Sequence, residues 1–231
     1  MALNPTTLEI NPGQIVAVLG ANGAGKTTLL RCLSTIAAPT RGRILFDGEV
    51  LTRGRLDLRR RLMFMPDFPP FYADMTVVRH ISLVMQVYEC ETQGREQDVI
   101  DTLRDLDLLT HCDTLISRLS RGQAYKTALA ALLLVNPELW LIDEPFASGM
   151  DPNGITCFKR RAREAAQSGR LVIYSTQIVD IAESFCDNVC VIHKSDVRAF
   201  ASVKALAGSD SRGTGNGVLE NILQDLRQED L

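Results

Sequence analysis

Two short stretches carry residues whose types and spacing suit phosphate chemistry. The first is "GANGAGKT", Gly20, Ala21, Asn22, Gly23, Ala24, Gly25, Lys26 and Thr27, continued by Thr28. It fits the pattern G-x-x-x-x-G-K-[ST]. Phosphates need many N–H donors at close range, and glycines let the backbone approach without side-chain clashes. In this pattern Lys26 reaches the terminal phosphates of a nucleotide, and the Thr27 hydroxyl holds Mg²⁺. The second stretch is "LWLIDEP", 139–145, where four apolar residues run into two carboxylates. Asp143 is a hard oxygen ligand for Mg²⁺, and Glu144 is placed to act as general base on an attacking water.

These residues need elements to hold them. "QIVAVLG" (14–20) reads as a buried strand, and the phosphate loop then opens a helix from about Lys26 to Ile36. Residues 38–51 read as a turn and an antiparallel hairpin around Asp47-Gly48. Further strands follow at 60–66, 139–143 and 171–175, with 189–193 as a last strand. Residues 75–118 read as almost entirely helical. The fold expected is α/β, a P-loop NTPase core. It has a mostly parallel sheet, an antiparallel β portion near the N-terminus and an α-helical subdomain at about 68–125. Residues 1–206 form the single domain and 207–217 a linker. Residues 218–231 form an amphipathic helix with Val218, Leu219, Ile222, Leu223 and Leu226 on one face. That helix either binds a partner or folds back on its own core.

Bulk composition excludes some functions. The chain has 231 residues, 45% hydrophobic and 23% charged, with a net charge of −3. Such a charge gives no reason to expect nucleic acid. The longest apolar run, Ala128–Val135, is far short of a membrane span, and no signal peptide is evident. Six scattered cysteines without a C-x-x-C pair suit reduced cytosolic thiols.

Between the two phosphate motifs lies "RLSRGQAYKTALAALLLVNPE" (118–138). Leu119, Ser120, Arg121, Gly122 and Gln123 resemble the L-S-G-G-Q signature of ABC ATPases, and "SGMDP" (148–152) is similar to that family's D-loop, with Asp151. The resemblance covers residues 3–206 and is greatest to export-type ATPases encoded apart from their membrane subunits. It implies ATP and Mg²⁺ as ligands, and a head-to-tail homodimer, or a heterodimer with another ABC ATPase. Each ATP would lie between one phosphate loop and the facing signature. It also implies integral membrane transporter subunits as partners, and a cytoplasmic place on the inner face of the cell membrane.

The same resemblance exposes departures. Gln177 aligns with the family's switch histidine. A glutamine there can donate to the γ-phosphate but carries no charge; a helix-initiating polar residue is the other reading. Asp67 stands where the family has its Q-loop glutamine, and an aspartate is also a good Mg²⁺ ligand. Arg121 replaces the first signature glycine, a long cation exposed to the dimer interface or the partner nucleotide. Phe68, Phe71 and Tyr72 read either as a groove for a helix of the membrane subunit or as the core of a buried loop. The family's N-terminal strand, with an aromatic that stacks on adenine, is not found before "LEINPG". None of the three histidines, His80, His111 and His193, falls within the motifs. The leading function is an ATPase subunit that energises a membrane transporter. The alternative is a nucleotide-dependent regulatory or scaffold subunit with weak or no hydrolysis.

Overall fold

Ile15 to Leu19 are essentially without solvent exposure on both strand faces, the mark of a central strand in a parallel sheet. The computed structural model describes residues 3–90, 93–209 and 219. From β1 (Gln14–Leu19) the chain enters α1 (Lys26–Leu33), then β2 (Leu45–Phe46) and β3 (Glu49–Val50). Asp47 and Gly48 turn this antiparallel hairpin, both at positive φ, as a tight primed turn requires. Next come α2 (Leu56–Arg59), β4 (Leu62–Met65), α3 (Val77–Val87), α4 (Glu96–Asp105), α5 (Arg121–Val135) and β5 (Leu139–Ile142). The chain then runs through α6 (Pro152–Gln167), β6 (Leu171–Thr176), α7 (Val179–Phe185), β7 (Asn188–His193), β8 (Asp196–Ser202) and α8 (Val203–Ser209).

Six strands form one sheet in the order β4-β5-β6-β1-β7-β8. Every pairing is parallel except β7 with β8. Alternate residues of β1 feed two apolar layers. Ile15, Ala17 and Leu19 join the layer that holds α5 and α6, while Val16 and Val18 join Leu30 of α1. The carboxyl ends of β1, β5 and β6 therefore lie side by side, where parallel sheets bind ligands.

Helix α5 is buried along nearly its whole length and packs against α3, α4, α6 and β4. Its apolar residues therefore surround the axis rather than forming one stripe. A capping box starts it: Gln123 N–H donates to Ser120 Oγ at 3.2 Å, and Ser120 N–H donates to Gln123 Oε1 at 2.9 Å.

The structure corrects several sequence readings. Strand 189–193 is not the last, since β8 returns antiparallel through Lys194 and Ser195, both at positive φ. The first helix stops at Leu33, because Thr35 turns left-handed at φ 63°. Within 75–118 the helix is broken into α3, α4 and two single 3₁₀ turns. Ala207 to Ser209, assigned to the linker, continue α8. The proposed C-terminal helix lies outside the described residues except for Leu219. That residue is buried in the α5–α6 layer and donates its N–H to Glu183 Oε1 at 2.7 Å.

Candidate active site

The phosphate loop follows β1 and ends at Gly25, whose φ of 116° at the cap of α1 is open to glycine alone at low cost. Lys26 is 5% exposed and curls over its own loop. Its Nζ donates to the carbonyls of Gly20 at 2.9 Å and Ala21 at 3.3 Å. It also stands 3.1 Å from Glu144 Oε1, an ion pair that lacks hydrogen-bond geometry. Both carboxylate oxygens of Glu144 are buried without a hydrogen-bond donor.

Thr27 Oγ1 donates to Asp143 Oδ2 at 2.8 Å. The other Asp143 oxygen accepts from Ser175 Oγ at 2.5 Å, and the same Ser175 oxygen accepts from Glu144 N–H at 2.9 Å. Ser175 is completely buried. It fixes Glu144 in the left-handed region, φ 48° and ψ 51°, a conformation that costs a non-glycine residue roughly 1 kcal/mol. Sequence reading missed Ser175. Its signal was a polar residue at the end of an apolar strand, set by register beside the strand that ends at Asp143.

A cavity of about 310 Å³ opens here, lined by the phosphate-loop residues Asn22, Gly23 and Gly25 to Thr28 with Asp67, Asp143 and Glu144. Among the described residues no group of three or more His, Cys, Asp or Glu forms a metal cluster. Thr27 and Asp143 are nevertheless two hard oxygen donors at one wall of a cavity that also holds a lysine. That donor set fits Mg²⁺, which takes one or two protein oxygens and completes its shell from phosphate and water.

Other expected site residues lie elsewhere. Gln177 is exposed at the bend between β6 and α7 and does not line the cavity. Leu119, the capping Ser120 and the first turn of α5 from Arg121 to Gln123 also lie outside it. A Cβ on Gly122 would meet the Gly149 carbonyl oxygen at 2.2 Å, so the first turn of α5 packs main chain to main chain on the segment leading into α6. Asp151 caps α6, accepting from Gly154 N–H at 2.7 Å, and pairs with the buried Lys126 at 2.7 Å. The Lys126 bond, with the Gly154 N–H second, holds its carboxyl below the usual range. His111, outside the sequence motifs, lies with its Nε2 3.0 Å from Gln123 Nε2.

Arg121, half exposed, is paired within its own chain. Its Nη2 donates to Asp67 Oδ1 at 2.7 Å, and its guanidinium lies 4.4 Å from the centre of the Phe68 ring. Asp67 thus reaches the cavity wall already carrying a cation. Phe71 packs edge-to-face on His80 at 5.0 Å as loop core, while Phe68 and Tyr72 remain largely exposed. No helix among the described residues is long and apolar enough to cross a membrane.

Comparison with known proteins gives one answer. Residues 3–147 match the ABC transporter family. The ABC-type transporter ATP-binding protein EcsA of Bacillus subtilis is 28% identical over 228 residues, covering 99% of this chain and 91% of that one. The Nod factor export ATP-binding protein I of Cupriavidus metallidurans is 29% identical over 185 residues, covering 80% and 61%. A solved ATP-binding subunit of an ABC transporter superposes with a TM-score of 0.88 at 28% identity, covering 96% and 92%.

Proposed function

The chain belongs to the ABC transporter family, as an ATP-binding subunit most similar to those of export type, and on that premise we propose that it hydrolyses ATP to power a separate membrane transporter. The observation that carries this reading is the linked set Lys26–Glu144, Thr27–Asp143 and Asp143–Ser175–Glu144 at the end of the central strands.

Each residue has a task in that reaction. Lys26 turns from Glu144 to the β- and γ-phosphates, and the loop amides with the α1 N-terminus cradle the same oxygens. Thr27 and Asp143 hold Mg²⁺, which when bound supplies positive charge against the phosphates. Glu144 accepts a proton from water as the water oxygen bonds to the γ-phosphorus. The bond from that phosphorus to the bridging oxygen breaks, leaving ADP and phosphate, and Glu144 returns its proton to solvent. Asp67, once drawn off Arg121, adds a carboxylate to the metal side, and Gln177 donates an N–H to the γ-phosphate.

ATP also acts as glue. Two copies, or this chain and a different ABC ATPase, close head to tail, with Ser120, Gly122 and the α5 N-terminus of one facing the nucleotide of the other. Opening after hydrolysis moves the membrane subunits, which places the chain at the inner face of the membrane. Gln177 favours a second reading, a nucleotide-gated regulatory subunit, because its uncharged side chain lies exposed away from the cavity wall.

The test combines calorimetric ATP titration, phosphate release and size-exclusion chromatography. Lys26→Ala should abolish ATP binding. Glu144→Gln should bind ATP, lose turnover and elute at twice the monomer mass with ATP. Near-native ATP affinity in Lys26→Ala would overturn the reading. Binding and pairing without phosphate release by the unmodified chain would favour the regulatory one.

A further inference from the structure

Residues 40–62 hold seven arginines and three acids, in a chain whose net charge is −3. The three acids are already engaged. Arg61 pairs with Asp47 and, beyond this stretch, with Glu138, while Arg55 pairs with Glu49 and Asp57. Arg60 pairs with Glu89. Arg41, Arg43 and Arg53 are exposed and have no acidic partner among the described residues. Arg59 has none either: its Nη1 donates to the Arg53 carbonyl at 3.2 Å, which ties α2 to this segment.

Apolar side chains are interleaved with these cations. Leu45 of β2 lies directly opposite Val50 of β3, and successive strand residues alternate between faces. Ile44, Phe46 and Leu51 turn inwards to the layer that holds Leu30. Arg43, Leu45 and Val50 therefore share the outer face. Leu45 and Val50 are 50% and 45% exposed, and Leu56 at the start of α2 is 58% exposed. The Arg55–Glu49 pair at 2.6 Å holds that helix start against the hairpin. Single exposed apolar residues need no explanation, but these three gather with uncompensated guanidinium groups on one small unit.

We propose that the outer side of the β2–β3 hairpin, with the start of α2, rests on an anionic lipid surface. The planar fork of arginine suits phosphate oxygens, and aliphatic side chains on such a face bury at the boundary between headgroups and acyl chains. A polyanion such as nucleic acid would engage the charges and leave Leu45, Val50 and Leu56 in water; a lipid surface takes up both. The proposal rests on the placement of the chain at a membrane, and gives that placement a contact beside the transporter subunits.

The test is flotation of the full chain, without nucleotide, with two kinds of vesicle. One is phosphatidylcholine alone, the other phosphatidylcholine with an equal part of phosphatidylglycerol. The chain should float with the anionic vesicles, less so as salt rises, and not with the neutral ones. An arginine near such a surface is worth about fivefold in partitioning, so Arg41→Gln with Arg43→Gln should lose about 25-fold. Arg79→Gln with Arg104→Gln, on α3 and α4, removes as much charge and should change little. Leu45→Ser with Val50→Ser should also weaken flotation, with the thermal midpoint nearly unchanged because both side chains are exposed. No binding to anionic vesicles overturns the proposal, as does an equal loss in the two arginine pairs, which marks net charge rather than a face. Serine variants that float like the unmodified chain overturn it too, and a DNA duplex held by the same arginines then assigns the face to nucleic acid. Because nucleotide is absent, a failure of ATP turnover leaves this result standing, and failed flotation leaves the ATPase reading intact.

Discussion

Arg121 and Asp67, 54 positions apart, hold each other at 2.7 Å, at two positions that the sequence reads as departures from the ABC pattern. Each change alone would be awkward: a cation at the start of the signature helix, or an extra acid beside Asp143. Together they neutralise one another, with Phe68 under the guanidinium. Half of the Arg121 side chain is exposed, so the pair is worth no more than about 1 kcal/mol to stability. Its effect is on the charge that faces the nucleotide.

Arg121→Gly should therefore leave the thermal midpoint nearly unchanged but release Asp67 towards the cavity. The Mg²⁺ concentration needed for half-maximal ATP binding should fall about three- to tenfold, since a freed carboxylate is a better cation ligand. Adding Asp67→Gln should return it to the unmodified value. Fluorescent-nucleotide titrations over a Mg²⁺ series check this, and additive effects of the two changes would refute the coupling.

Ser175→Ala should be costly for so small a change. It leaves an Asp143 oxygen with only Thr27 and strands the Glu144 N–H. Unpaired buried polar groups cost about 1–3 kcal/mol, and the left-handed Glu144 loses its tether. The expected result is a lower denaturant midpoint together with a turnover loss of about 10²-fold. Urea unfolding and phosphate-release assays on one preparation measure both.

Gln177 carries a sharper contrast. If it reaches the γ-phosphate in the closed dimer, Gln177→Ala should lose about 10²–10³-fold in turnover with ATP affinity little changed, as for removal of a transition-state donor. Gln177→His should gain turnover by restoring a possible charge. Steady-state rates equal to those of the unmodified chain in Gln177→Ala would leave it as a polar residue at a helix start.

The Lys126–Asp151 pair predicts a pH dependence. The folded pKa of Asp151 is lowered, first by the Lys126 bond. Its stabilisation is thus present above the usual carboxylate pKa and is lost as pH falls through the lowered folded value. Half of the Asp151 side chain is exposed, which limits the effect to about 1 kcal/mol. Lys126→Met should lower stability at pH 7 and flatten its decline below about pH 4, as followed by thermal melts from pH 7 to 3.

What the sequence disclosed depended on how contiguous each signal was. The phosphate loop, Asp143 and Glu144 were legible because eight and two consecutive residues, each after an apolar strand, define them. The hairpin at Asp47-Gly48 was legible because turn chemistry is local. Strand β8 was not: its residues are mostly half-buried on both faces, so no alternation marks it. Arg121 and Asp67 could be seen as oddities but not as partners, since nothing local links positions on β4's exit and on α5.

The closeness of Gly122 to the Gly149 carbonyl also sets where this segment is free to diversify. Any side chain at 122 must push the two backbones apart, so that position is closed to substitution. Position 121, one residue earlier, opens outwards and admits a side chain as long as arginine. A contact between two main chains therefore closes position 122 while its neighbour 121 stays open to a long side chain. A lineage of such subunits could change the pair at 121 and 67 without disturbing the main-chain contact between Gly122 and Gly149.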